Sequence, residues 1–462
     1  MQLFHTPPVA SAVFDEPNLV SVAGLVPLMA LARRAGLAEL AESWLSVPTD
    51  KGANAGVKVT SLVAGMAAGA DSIDDMAVLC HGGTARVLGA ALAPSTLGSF
   101  LRAMTFGHVR QLDAVASRFL VNLAADTNLL GTPEERGTVM IDLDDTIVEV
   151  HGYAKQGFGY SGVRGINAIL ATVSTDTVAP VVLAQRLRKG NAGSARGVAR
   201  LVRDSLATTR RTHLAGRDVL VRADSASYSR ALVGAALTAG AQVSVTVRMD
   251  PVVKRAIAAI SKDAWTTIRY PQAIYDETTG TWVSKAQVAE TPFTAFSSKK
   301  PAEQVRGRLV VRRIPDVNAR AGSGQATLFD TWRFHAFFTT TDLDTVAADQ
   351  THRRHAVIEN VHADLKNSAL AHLPSGVFTA NAAWLVCAVM AFNLTRAAAT
   401  TASPAMARAT TATIRRKLIA VPARLATTAR RIHLHLPARW PWANAWTDQF
   451  HHACGPPAFA AT

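Results

Sequence analysis

The feature that most constrains the fold is a change of texture at Gly137. Upstream, apolar residues recur at helical spacing, as in Leu19, Val22, Leu25, Leu28 and Leu31. Downstream, residues 139–150, 168–174 and 178–183 are β-branched runs joined by polar turns such as Thr175-Asp176-Thr177, which predicts a three-strand antiparallel meander. A helix is expected over 194–207, a strand over 218–223, a helix over 229–239 and a strand over 242–248. Three strands followed by alternating helix and strand predict an α/β fold, with the first and fourth strands as sheet neighbours.

That order of elements is the order of a ribonuclease H-like catalytic core. The core does not run on unbroken. Between 250 and 340 the pattern turns to short β-type segments at 265–270, 281–286, 308–314 and 332–339, separated by polar turns at 276–280 and 321–324. A β-rich insertion is expected there. A single helix is expected from about 348 to 370, followed by a helical, basic C-terminal region. The expected layout is a helical DNA-binding domain over 1–136, the first part of the core over 137–249, the insertion over 250–340, the last part of the core over 341–400, and the basic region over 401–462. In the first of these, Ser72-Ile73-Asp74-Asp75 is a capping-box-like helix start before Met76–Leu79, and Pro94-Ser95-Thr96 opens another helix; the pair suits either a helix-turn-helix or a plain bundle.

Charge indicates the partner. The 462 residues carry 48 Lys and Arg against 34 Asp and Glu, a net +14. A protein this basic is expected to meet a polyanion. No acidic residue falls between Asp364 and Asp448, a stretch that holds Lys366, Arg415 and Arg416; a second tract includes Arg186, Arg188, Lys189, Arg196 and Arg200. Two separated tracts suit a groove for a phosphate backbone. Cys80, Cys387 and Cys454 are not spaced for zinc or a disulfide framework, which fits a reducing cytoplasm. The N-terminal residues lack the pattern of a signal peptide. Residues 382–394, the most apolar stretch, are too short to span a bilayer and read as a buried helix, so no membrane partner is expected.

Three acids stand out against this frame. Asp144 lies near the end of the first strand, Asp224 just past the fourth, and Glu359 inside the late helix. Phosphodiester cleavage needs an activated water and a stabilised leaving oxygen. Two Mg²⁺ ions, for which Mn²⁺ can substitute, do both, and such hard cations take carboxylate oxygens. Asp142 shares a strand face with Asp144, while Asp145 should point to the other face. Asp144 is preferred because it lies where the strand end should open. Lys366 follows Glu359 by seven residues, two helical turns on the same face, and can hold a phosphate; Arg353 and Arg354 precede it. Arg188-Lys189-Gly190-Asn191-Ala192-Gly193 before a helix is a phosphate-binding candidate without a Walker ending.

Taken together, 93–102, 106–110, 141–146, 187–194, 221–224, Ile358-Glu359-Asn360 and Lys366 resemble the Asp-Asp-Glu transposases of bacterial insertion sequences, most closely the insertion-sequence-thirteen-eighty group, a relative of the insertion-sequence-four group. The resemblance implies Asp144, Asp224 and Glu359 as catalytic metal ligands, a β-rich insertion before the third acid, and a homodimer holding two DNA ends. The group's signature around the glutamate places a Tyr and an Arg ahead of it; this chain has His352 and His355 there. Three readings follow: a cut-and-paste transposase, a nuclease that cuts without joining, and a non-catalytic DNA-binding descendant.

Overall fold

In the computed structural model of the chain, the described residues are 11–48, 50–89, 91–150, 162–175, 178–193, 195–276, 281–315, 332–428 and 431–455. Side chains are described for all of these except 269–285.

The N-terminal part begins with a short strand, β1 (Leu19–Val20), and continues through helices α1 (Leu25–Arg34), α2 (Leu37–Trp44), α3 (Ala55–Ala68), α4 (Thr84–Leu88), α5 (Pro94–Arg102) and α6 (Phe106–Asp126). Residues 74–80 form a 3₁₀ segment rather than an α-helix. The Ser72 hydroxyl donates to Asp75 and accepts from its amide, so the expected cap forms but starts a tighter turn. Thr105 and His108 close a reciprocal capping box at the start of α6. Leu97, Phe100 and Leu101 on α5 are buried on one face, as their spacing requires.

Beyond Gly137 the strands are β2 (Val139–Glu149), β3 (Gly165–Ser174), β4 (Val181–Lys189), β5 (Val219–Ala223) and β6 (Gln242–Thr246), with α7 (Val198–Thr209) and α8 (Arg230–Thr238) in the expected places. The first and fourth strands of the α/β region, β2 and β5, pair in parallel. The order is β4-β3-β2-β5-β6, and the sheet does not stop at β6. After α9 (Pro251–Ala258), strands β7 (Thr266–Asp276), β8 (Thr281–Ala295), β9 (Val305–Pro315) and β10 (Trp332–Thr339) extend it, because β10 pairs antiparallel with β6. Among the described residues this makes one nine-stranded sheet, with the β-rich segment as its continuation. The turns expected at 277–280, 321–324 and Asp176-Thr177 lie outside the described residues, as does Ser194.

The single late helix expected over 348–370 is broken. α10 (Thr345–Arg353) ends in a 3₁₀ turn at Arg354–Ala356, and α11 (Val357–Lys366) starts afresh. Then comes α12 (Phe378–Ala402), 25 residues long and apolar enough to cross a membrane on length alone; its most apolar window is wholly buried inside the protein. Asn393 on α12 binds both backbone groups of Val182 on edge strand β4, at 3.0 and 2.8 Å, and so blocks a free sheet edge.

The expectation of a helical C-terminal region also needs correction. After α13 (Pro404–Ala407), α14 (Thr411–Ile414) and a π-helical turn at Arg415–Ile419, a hairpin forms from β11 (Ala423–Thr428) and β12 (Arg431–His435), before α15 (Ala443–Cys454). The hairpin pairs with β1 at the other end of the chain. Gly24 permits this clasp: a Cβ there would meet the Leu418 carbonyl at 1.8 Å. Alternation of Ala423 and Leu425 with exposed residues marks a strand, a period that the abundance of Ala and Arg obscures in the sequence.

Candidate active site

Parallel pairing of β2 with β5 sets the geometry of the acids. Asp142 is level with Arg222 and Leu143 with Ala223, so the next residues are Asp144, in the middle of β2 and not near its end as expected, and Asp224, one past the end of β5. Neighbouring strands lie about 4.8 Å apart. Residues level in a parallel pair point to the same face, and residues two apart along a strand share it. The Arg222 side chain meets Asp142 directly, with Nε on Oδ1 at 2.6 Å and Nη2 on Oδ2 at 2.8 Å. Asp144 and Asp224, two steps further, therefore stand side by side on that face.

The two aspartates of β2 have different environments. Asp142 is fully buried, its charge matched by Arg222 and its Oδ1 also 3.2 Å from His355 Nδ1. Asp144 has no matching cation of that kind. Its Oδ1 accepts from the Asp145 amide at 2.8 Å and its Oδ2 lies 3.6 Å from His362 Nε2. Burial pushes the Asp144 carboxyl up to about 6; the Asp145 amide and His355 pull it down, while the charges of Asp224 and Asp145 add to the rise. Asp224 accepts from the Ser227 amide at 3.1 Å, the Asx turn that ends the strand. Asp145 faces the other side, as expected from alternation, and pairs with Arg188 and Asn167.

Glu359 sits in the first turn of α11 and is exposed. It lies four residues after His355 and three before His362, the two residues through which this segment touches β2. Its carboxylate makes no hydrogen bond or ion pair among the described residues. Nor do the described residues include a group of three or more His, Cys, Asp or Glu arranged to hold a metal ion. Asp144 and Asp224 fit the floor of a divalent-cation site all the same: they are hard oxygen donors on adjacent strands, and their mutual repulsion is what a cation would relieve.

The two histidines that depart from the signature are structural in different ways. His352 is clamped between the hydroxyls of Ser244 (2.8 Å) and Thr246 (3.0 Å) on β6 and stacks on Phe337 with ring centroids 4.0 Å apart. Burial, with the charges of His355, Arg222 and Arg312, pushes it down to about 3, so it is a neutral pin that docks α10 on the sheet. His355 instead reaches Asp142.

The expected basic contacts divide. Arg188 is buried, bound to Asp145, to Asn167 and to the Arg196 carbonyl, so its guanidinium braces the loop after β4 rather than facing a phosphate. Arg415 is turned inward beside Gly69, in the field of Asp364 and Asp71; burial pulls its guanidinium below the usual range. Arg188 is thus committed inside the protein, and Arg415 is half-buried. A charged side chain is drawn inside when a buried carboxylate awaits it, which the sequence does not display. Lys189 and Arg416 are exposed, and Lys366 is half-buried close enough to His362 to disfavour its protonation. Arg353 binds Asp349 at 2.9 Å, and with Arg354 and Asn360 it lines an open cleft that includes Arg222. Trp332 and Trp265 sandwich the Arg313 guanidinium at 4.5 and 4.1 Å.

Sequence reasoning missed the Asp142–Arg222 clamp and His362. The signal for His362 was present: it follows Glu359 by three on the helix that carries the third acid.

Residues 7–453 match the family described as Transposase DDE domain group 1. The chain belongs to that family. Among curated protein sequences none matches. Among solved structures it is similar to the piggyBac transposase synaptic complex with hairpin DNA, determined by cryo-EM, with a TM-score of 0.41 and 9% identity over 94% of this chain and 83% of that one.

Proposed function

We propose that this protein is a cut-and-paste transposase of the insertion-sequence-thirteen-eighty type, with a ribonuclease H-like core in which Asp144, Asp224 and Glu359 form the catalytic triad. The observation that supports the reading is the closeness of Asp144, in the middle of β2, to Asp224, just past the end of the neighbouring parallel strand β5, within a transposase family match spanning nearly the whole chain. Asp144 and Asp224 would hold divalent cations, two Mg²⁺ with Mn²⁺ able to substitute, and Glu359 would complete the set from α11. Bound there, such cations supply an activated water and charge relief at the leaving oxygen.

The chain's own residues do the rest. Buried Arg222 keeps Asp142 occupied, so that of the two aspartates only Asp144 is left for a cation. Lys366 and the exposed cations Arg354, Lys189 and Arg416 grip phosphates and set the register of the DNA. Water attack at the element's end breaks the bond to the 3′ oxygen, leaving a 3′-OH and a 5′-phosphate. That 3′-OH then attacks a target phosphodiester in line, forming the new bond as the target's own 3′ oxygen leaves. The N-terminal helices and the C-terminal basic region would bind the terminal inverted repeats, and two copies would hold two ends.

One observation favours a second reading. Glu359 is exposed, and the signature arginine is replaced by His355, which is spent on Asp142. This combination suits a silent copy that still binds DNA. Incubating the protein with Mg²⁺ or Mn²⁺, labelled DNA carrying the inverted repeats that flank its gene, and a supercoiled target separates the readings. Cleaved ends joined to target establish the transposase; cleaved ends without joining make it a nuclease; end binding without cleavage makes it a DNA-binding descendant.

A further inference from the structure

His362 is an unsatisfied buried group aimed at the acids. Only 7% of the residue is exposed, and neither ring nitrogen has a hydrogen-bond partner among the described residues. A neutral imidazole carries one N–H donor and one lone pair, and leaving these unmatched inside a protein is unfavourable. Sequence need not have put a polar ring here, because its helix neighbours Ile358, Val361 and Leu365 fill the same interface with apolar side chains. An orphan of this kind calls for a ligand the protein alone does not provide.

Its surroundings identify the ligand. Nε2 lies 3.6 Å from Asp144 Oδ2. Cis donors on a six-coordinate cation with bonds of about 2.1 Å stand roughly 3 Å apart, so a small closing movement brings both atoms onto one ion. The groups that face it are Asp144 across the interface, His355 on the preceding turn and Lys366 on its own helix.

We infer that His362 is a nitrogen ligand of the cation held by Asp144, making this a mixed oxygen–nitrogen site that prefers Mn²⁺ and similar transition ions to Mg²⁺. The inference rests on the reading of Asp144 and Asp224 as the metal-holding pair. Imidazole suits borderline metals, whereas Mg²⁺ favours all-oxygen shells.

Pulsed electron paramagnetic resonance of the full-length protein titrated with Mn²⁺ reads the contact directly, through coupling of a coordinated imidazole nitrogen to the metal's electron spin. Wild type and His355→Gln are expected to show the coupling, and His362→Gln to lose it. Mn²⁺ affinity in His362→Gln should fall at least about tenfold, as removal of even an outer-sphere partner commonly does. Mg²⁺ affinity should change by no more than about twofold, because nitrogen adds little to its shell. If His362→Gln does not fold, wild type grown with ¹⁵N-histidine tests the same point, since the coupling must change with the isotope. Bound Mn²⁺ without nitrogen coupling in wild type, or coupling that persists in His362→Gln, overturns the inference. Asp144→Asn and Asp224→Asn keep the two claims apart: if they lose Mn²⁺ while His362→Gln keeps it, only the histidine falls; if they bind Mn²⁺ as wild type does, the carboxylate pair falls.

Discussion

Arg222 on β5 grips both carboxylate oxygens of Asp142 on β2, and the pair is buried to within 1% of complete exclusion from solvent. Removing one partner strands a charge, whereas removing both does not. Arg222→Met is therefore expected to cost about 3–5 kcal/mol, and the double variant with Asp142→Leu to recover a large part of it. Urea unfolding of the three proteins measures both effects. Equal losses in the single and double variants would show that the clamp is not a unit.

Asp144 predicts an effect of opposite sign. Burial raises its carboxyl to about 6 from an ordinary value near 3.8, so the folded metal-free protein holds a proton that the unfolded chain has released. Stability from this group is then greatest below about pH 4 and is lost as pH rises to 6. Asp144→Asn removes that loss. The metal-free variant should melt higher than wild type at pH 7–8, by on the order of 1–3 kcal/mol, with the difference vanishing near pH 4. Added Mn²⁺ should stabilise wild type and leave the variant unmoved. Calorimetry across pH, with and without metal, checks all three statements.

His352 gives the reverse slope. Its folded proton affinity is pushed down to about 3, so protonation of the unfolded chain draws stability away as pH falls below about 6.5. His352→Phe keeps the stack on Phe337 but leaves Ser244 and Thr246 without their partner. It is expected to lose about 1–3 kcal/mol at pH 7 and less at pH 5, where wild type has already weakened. A loss that grows towards low pH would contradict the assignment of His352 as a neutral pin.

The division of the basic residues is testable by salt. Lys189→Ala and Arg416→Ala should weaken DNA binding evenly across sequences and lower the slope of log affinity against log salt by about 1 each. Arg188→Ala should destabilise the fold, through the orphaned Asp145, and leave that slope unchanged once folding is corrected for. Fluorescence anisotropy over a range of salt concentrations separates the two behaviours.

The elements the sequence displayed best were those whose periodicity is local. The meander β2–β4, the alternation through β6 and the helix α5 follow from residue patterns visible within each segment. Elements settled by distant partners were not legible. The hairpin β11–β12 exists because β1, some four hundred residues earlier, offers an edge, and Arg188 turns inward because Asp145 receives it. For the site, Asp224 does lie just past its strand, but Asp144, expected near a strand end, stands in the middle of β2, which runs on to Glu149. What separates Asp144 from Asp142 is a neighbour that only the fold supplies: Arg222 on β5 binds Asp142, whereas Asp144 lies near the charge of Asp224, just past the end of β5.

The central claim is that Asp144, Asp224 and Glu359 act together on DNA. The most direct measurement is metal-dependent cleavage of a labelled DNA carrying the flanking inverted repeats, by wild type, Asp224→Asn and Glu359→Gln, with folding verified for each. The account predicts cuts at the repeat ends by wild type in Mg²⁺ or Mn²⁺ and a loss of at least about a hundredfold in both variants, about 2.7 kcal/mol of barrier. Cleavage that survives Asp224→Asn or Glu359→Gln would contradict it and move the active site elsewhere on the protein.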